Sequence, residues 1–309
     1  MQVTIASGIL AISFYLMGFF LQANAVFAGR SRENKVFIFG ALAVISHGVS
    51  VYGVIRVNGG YQFGFFEIST LIAFSISLLV LVSNIRKPLE NLFLCLFPLA
   101  IIAIAASLYM QSPLPATELN VGLATHVLTS VLAYSFITIA ALQATFLAFQ
   151  NRQLKNHVTG GVISRFPPLQ DMETFLFELL WVGQLLLSLG IIAGFLFIED
   201  TWGRDGVIHK TFFSILAWLV FSVLLWGRHK IGWRGTSAVR WTLIGFAFLI
   251  TGFYGSKFAL EFLLFLFRHF LPTVPKSKAS KFQFAKSAKS PNHSYSNQSP
   301  SLIYPRMEK

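Results

Sequence analysis

Residues 121–149 read VGLATHVLTSVLAYSFITIAALQATFLAF and contain no Asp, Glu, Lys or Arg. About twenty apolar residues in a helix cross a hydrocarbon core of about 30 Å, so this stretch is long enough to span a bilayer. Seven further runs share its character. The spans are read at 3–27, 36–55, 66–84, 92–110, 121–149, 174–198, 211–227 and 241–266. In lipid only helices and closed barrels satisfy every backbone polar group, and runs of this length exclude the barrel. The chain therefore reads as an all-α, polytopic membrane helix bundle of about eight transmembrane helices.

Composition agrees with that class. The chain has 309 residues, of which 12% are charged, against about 25% in soluble domains. The mean hydropathy is +0.66. The net charge of +12 sits largely in loops and a basic tail, where anionic lipid surfaces draw it, and does not imply nucleic-acid binding. Cys95 is the single cysteine. An intrachain disulfide, a CxxC redox pair and a CxxCH haem attachment are thereby excluded. Residues 1–2 lack the basic n-region of a cleaved signal peptide, so the first run is expected to stay as a helix.

The loops carry an orientation. Arg30, Arg32, Lys35, Arg86, Lys87, Arg152, Lys155, Arg165, Arg228, Lys230, Arg234 and Arg240 follow odd-numbered spans. Only Arg56, Arg204 and Lys210 follow even-numbered ones. The positive-inside rule then places the odd loops in the cytoplasm and both termini outside. Residues 1–267 form the transmembrane domain in this reading, and 268–309 a basic tail rich in Ser, Lys, Asn and Pro, a composition typical of disorder. The long connection Asn151–Glu173 is one place for a seam between five-helix and three-helix parts, without a division into separate domains.

Polar side chains inside apolar helices are costly and mark candidate sites. His126 lies about one and a half turns into span 5. Thr129, Ser130 and Tyr134 share its face at i+3, i+4 and i+8. A neutral imidazole there can ligate a haem iron with hydroxyls orienting it; the plainer alternative is a helix–helix hydrogen bond. His209 lies on the same side of the membrane, in the loop before span 7, and two such histidines can supply both axial ligands; the plainer alternative, favoured by spacing alone, is an interfacial histidine at a helix start. Trp202 beside it is either an interfacial belt residue or a surface for a flat apolar macrocycle. His47, mid-span and followed by Ser50, suits an inner cofactor site, a proton relay or an interhelical hydrogen bond. Lys257 and Glu261 stand at i,i+4 and can pair; Lys257 can instead meet a haem propionate. Glu178 and Gln184 are further polar positions in span 6. Gly190-xxx-Gly194 permits close helix approach. The segment Trp226–Gly235 mixes aromatic and basic residues as a headgroup surface does, with His229 inside it. His157, His269 and His293 fall in loop or tail. A GxxxxGK[ST] phosphate loop is absent.

Several ordered segments together carry a resemblance. They are HVLTSVLAYS (126–135), FPPLQDME (166–173), GIIAGF (190–195), HKTFFSILAW (209–218), LWGRHKIGWRG (225–235) and GFYGS (252–256). The chain resembles the cytochrome c assembly family of CcsA-like haem-handling membrane proteins, nearest to its YpjD-like inner-membrane branch. The resemblance implies non-covalent haem bound or presented near the outer membrane face during cytochrome maturation. It also implies a bacterial inner-membrane location and other maturation proteins in the membrane as partners. His126 takes the position of a family haem ligand. The family's Trp-rich haem platform falls at Ile198–Lys210, where Trp202-Gly203 remains but the repeated Trp and the Trp-Asp-Pro core do not. The family's second outer histidine, in the last helix, has no counterpart near Gly255–Phe265, where Lys257 and Glu261 stand instead. His209 is the candidate second ligand on sidedness alone. The competing readings are a cofactor-free membrane scaffold and a small-solute transporter using His47 and Glu178. No motif points to hydrolytic or transfer chemistry, so no enzyme activity is expected.

Overall fold

Each apolar run becomes one helix. A computed structural model of the chain describes residues 2–27, 34–85, 90–110, 116–156, 167–197 and 207–255, with the backbone alone at 90, 91 and 207–209. The helices are α1 (Gln2–Phe27), α2 (Asn34–Ile55), α3 (Phe65–Ser83) and α4 (Glu90–Tyr109), then α5 (Val121–Lys155), α6 (Leu169–Phe197), α7 (Val207–Lys230) and α8 (Thr236–Ile250). The axis of α8 continues as a π-helical turn, Thr251–Gly255. All eight are long and apolar enough to cross a membrane. The described residues fall within a compact unit, Met1–Phe262; the basic tail lies outside them, as do Trp202, Lys257 and Glu261.

Helix ends depart from the sequence reading where polar turns project beyond the hydrocarbon. Hydropathy does not register such turns. α5 has 35 residues, about 50 Å at 1.5 Å per residue, well over the hydrocarbon thickness. Its start is fixed by Asn120, whose side chain accepts from Leu123 N–H at 2.7 Å. Its last turn holds Arg152 and Lys155, where cations complement the exposed carbonyls. α6 opens at Leu169, directly after Pro167-Pro168, and not at 174; Glu173 therefore belongs to a helix and not to the connection. α7 opens at Val207, so His209 lies in its first turn and not in the preceding loop.

A short antiparallel hairpin, β1 (Arg56–Val57) and β2 (Gly60–Tyr61), joins α2 to α3. The all-helix reading did not include it. Its turn is Asn58-Gly59, a pairing that favours two-residue hairpins because glycine accepts positive φ; φ is +98° at Gly59. Tyr61 and Thr117 exchange two backbone hydrogen bonds of 2.9 Å, which tie the α4–α5 connection to this hairpin.

The most extensive helix pairing is α5 with α6, followed by α1 with α2. A seam after α5 is therefore not what the packing gives. The main link between α1–α4 and α5–α8 is α3 against α5. Polar side chains bridge the helices where lipid offers no partner. Gln184 of α6 donates to Trp218 O at 3.2 Å and Ser222 Oγ at 2.7 Å, and Trp218 Nε1 donates to Ser188 Oγ at 2.8 Å. Glu178 lies on the exposed side of α6.

Candidate functional site

His126 is held by α6. Its Nδ1–H donates to the Gly190 carbonyl at 2.9 Å. That bond fixes the tautomer: with the proton on Nδ1, Nε2 keeps its lone pair. Among the described residues no hydrogen bond engages Nε2. α6 comes this close because it carries glycines. A Cβ at Gly194 would stand 3.1 Å from His126 Cε1 and 3.2 Å from Nδ1, and one at Gly190 would stand 3.1 Å from Ser130 Oγ. The Gly190-xxx-Gly194 pair, read from sequence as a packing element, is thus the seat of the imidazole. The sequence shows that small residues stand there, not which ring they receive.

The ring borders a cavity of about 320 Å³, a size common for small-molecule and cofactor pockets. His126, Ser130 and Tyr134 line it from α5, whereas Thr129, read on the same face, does not. Ile68 and Ile72 of α3 and Leu187, Ile191 and Phe195 of α6 make its apolar walls, with Phe63 contributed by the hairpin–α3 connection. Lys210, Thr211 and Ser214 line it from α7, and Phe253 from the π-helical turn. π-turns are rare and recur at functional sites. Here Tyr134 donates to Leu249 O at 2.8 Å just before the helix widens, and its ring meets Phe253 at 5.2 Å. Sequence patterning contains no signal for the π-turn, and Phe63, Lys210, Thr211, Ser214 and Phe253 are among the wall residues it left unassigned.

His47 belongs to a different setting. It is fully buried and absent from the cavity wall. Tyr15 Oη lies 3.3 Å from Nδ1 and Thr70 Oγ1 3.0 Å from Nε2. Both nitrogens are used, so the ring ties α1, α2 and α3 together and offers no lone pair to a metal. The geometry favours its packing alternative. His229 is exposed in the last turn of α7. No group of three or more His, Cys, Asp or Glu side chains suited to a metal ion occurs among the described residues.

A second polar cluster occupies the opposite end of α5 and α6. Glu173 is buried at 7% exposure. Its Oε1 accepts from Arg228 at 2.7 Å and Arg234 at 3.0 Å, and Oε2 faces Gly235 N–H at 3.4 Å. Arg228 also donates to Trp233 O and lies 4.5 Å over the Phe177 ring. Trp233 stacks on Trp241 at 5.5 Å. The segment read as a headgroup surface is therefore folded around one carboxylate. Counting Glu173 as loop concealed it.

Eight apolar helices, four of which line an imidazole-bearing cavity, define a polytopic membrane protein with a cofactor-sized pocket near one end of the bundle. The chain belongs to the cytochrome C assembly protein family, whose model matches residues 36–264. The inner membrane protein YpjD of Escherichia coli K12 is 27% identical over 75% of this chain and 88% of its own length. An uncharacterized 28.8 kDa protein of Azospirillum brasilense is 25% identical over 77% and 90%. The cytochrome c biogenesis protein CcsA of Heterosigma akashiwo is 26% identical over 38% and 36%. No solved structure matches the chain. Family membership supports a role in cytochrome c biogenesis.

Proposed function

We propose that the chain binds haem non-covalently at the outer face of the bacterial inner membrane, with His126 as an axial ligand, and holds it for cytochrome maturation without itself being an enzyme. The observation that carries this reading is the His126–Gly190 hydrogen bond, which commits Nδ1 and keeps the lone pair on Nε2 of a side chain that lines the cavity. Metal-bound histidines ordinarily donate the other ring N–H to a carbonyl or carboxylate, which sets their orientation and basicity.

The donor set fits haem. Apolar walls suit the macrocycle, one imidazole suits the iron, and the Lys210 ammonium, at the start of α7, suits a propionate. The glycine seat adds a cradle that a Cβ would fill. When bound, haem supplies the redox iron that a cytochrome requires. His126 would hold that iron, Gly190 would keep the imidazole oriented with its proton on Nδ1, and the walls from α3 and α6 would exclude water. His209 in the first turn of α7 and Trp202 in the connection before it remain the proposed second ligand and stacking surface. The loop-charge bias supports the outer placement, because His126 stands at the end where basic loop residues are few. Partners from the maturation machinery follow from the family.

The test is absorbance. Protein purified from haem-replete cells is expected to show a Soret band that His126→Ala removes and His209→Ala shifts or weakens. Absence of the band in the wild type would overturn the reading. The scaffold alternative draws on the same bond, since His126–Gly190 is also a tie between α5 and α6; it predicts that His126→Ala lowers stability in a protein with no spectrum.

A further inference from the structure

We propose a binding site for the phosphate of an acidic phospholipid in the cavity between the C-terminal end of α5 and the N-terminal ends of α6 and α8. This cavity measures about 530 Å³ and lies at the far end of the bundle from His126. Ala148, Arg152 and Lys155 share one face of α5 and line it. Arg234 lines it from the α7–α8 connection, with Thr236 at the start of α8. Arg234 is pre-positioned: Glu173 holds its Nε at 3.0 Å, and its terminal nitrogens have no protein partner among the described residues. Arg152 and Lys155 form no salt bridge among the described residues.

The one carboxylate in the wall does not repel an anion. Glu173 is matched by two guanidiniums, Arg228 and Arg234, so the cluster of Glu173, Arg228, Arg234, Arg152 and Lys155 is net cationic. A guanidinium edge held by a carboxylate beside two exposed cations is a donor pattern that recognises phosphate oxygens.

The source of the phosphate is argued from the rest of the wall. Leu147, Ala148 and Val239 line the same cavity on the side toward the membrane interior. A polar rim over an apolar floor, at the ends of three membrane-spanning helices, matches a headgroup with its acyl chains and not a free anion. Basic recesses between transmembrane helices take anionic lipid headgroups in this way. The stacked Trp233–Trp241 pair suits the same interfacial level. The site is independent of haem at the other end.

Native mass spectrometry of the full chain in detergent, titrated with phosphatidylglycerol, tests the site. The wild type is expected to retain phosphatidylglycerol in preference to phosphatidylcholine. The double variant Arg152→Gln/Lys155→Gln should lose about tenfold in apparent affinity, whereas Lys230→Gln/Arg240→Gln, an equal loss of charge on exposed positions outside the cavity, should lose about twofold or less. Lys155→Gln alone should fall between. Equal losses in the two doubles would mean diffuse attraction and overturn the proposal. So would retention of phosphatidylcholine to the same degree, or displacement of the lipid by millimolar inorganic phosphate, which would mark a free-anion site. If the cavity double fails to fold, the wild-type lipid preference and the phosphate competition decide alone.

Discussion

Two histidines that look alike in sequence separate at the level of hydrogen bonds. His47 and His126 both interrupt apolar helices, but His47 has a hydroxyl on each nitrogen, and His126 has a carbonyl on one nitrogen and a place in a cavity wall. His47→Ala should therefore cost about 2–4 kcal/mol, the range for a buried side chain lost with its hydrogen bonds, in a detergent melting experiment. It should leave any haem absorbance unchanged. Gly194→Ala should do the converse. Alanine gains about 1 kcal/mol of helix propensity over glycine, but the added methyl would press on the imidazole at 3.1–3.2 Å. The Soret intensity is expected to fall with little change in melting temperature. The depth of His126 and its hydroxyl neighbours was legible because both follow from helical spacing. Its second function-setting partner was not, because Gly190 lies 64 residues away and acts through a backbone atom that every residue has.

Among the elements, α6 carries most of what the sequence reading missed. Hydropathy placed its start five residues late, since a turn containing Gln170, Asp171 and Glu173 does not score as membrane. Yet Glu173 is the buried centre of the Arg228–Arg234 network. Removing one member of such a network leaves the others uncompensated. With Arg234 58% exposed, the loss is tempered by solvent screening. Glu173→Gln is expected to destabilise by about 1–3 kcal/mol, read as a lower midpoint in thermal unfolding, while the double variant Glu173→Gln/Arg234→Gln should recover part of it. The hairpin and the π-turn escaped for a related reason. Each is only five or six residues long and set by tertiary partners, Thr117 for one and Tyr134 for the other. Only the Asn58-Gly59 turn left a local trace.

At the scale of the molecule, all eight helices were legible because length and apolarity suffice to specify a span. The cavity was not, since it needs α3, α5, α6, α7 and the π-turn together. The inferred sidedness has its own check. With Cys95 replaced by serine, a membrane-impermeant maleimide applied to intact inner-membrane spheroplasts should label Asn58→Cys in the hairpin turn. It should spare Asn156→Cys at the end of α5; the reverse pattern would invert the orientation. The central claim is that His126 Nε2 ligates haem. The most direct measurement is the Soret absorbance of His126→Gly purified from haem-replete cells with and without added imidazole. Loss of the band in the variant and its return with imidazole is the predicted result. A wild-type band that persists unchanged in the variant, or a wild type with no band, would contradict it.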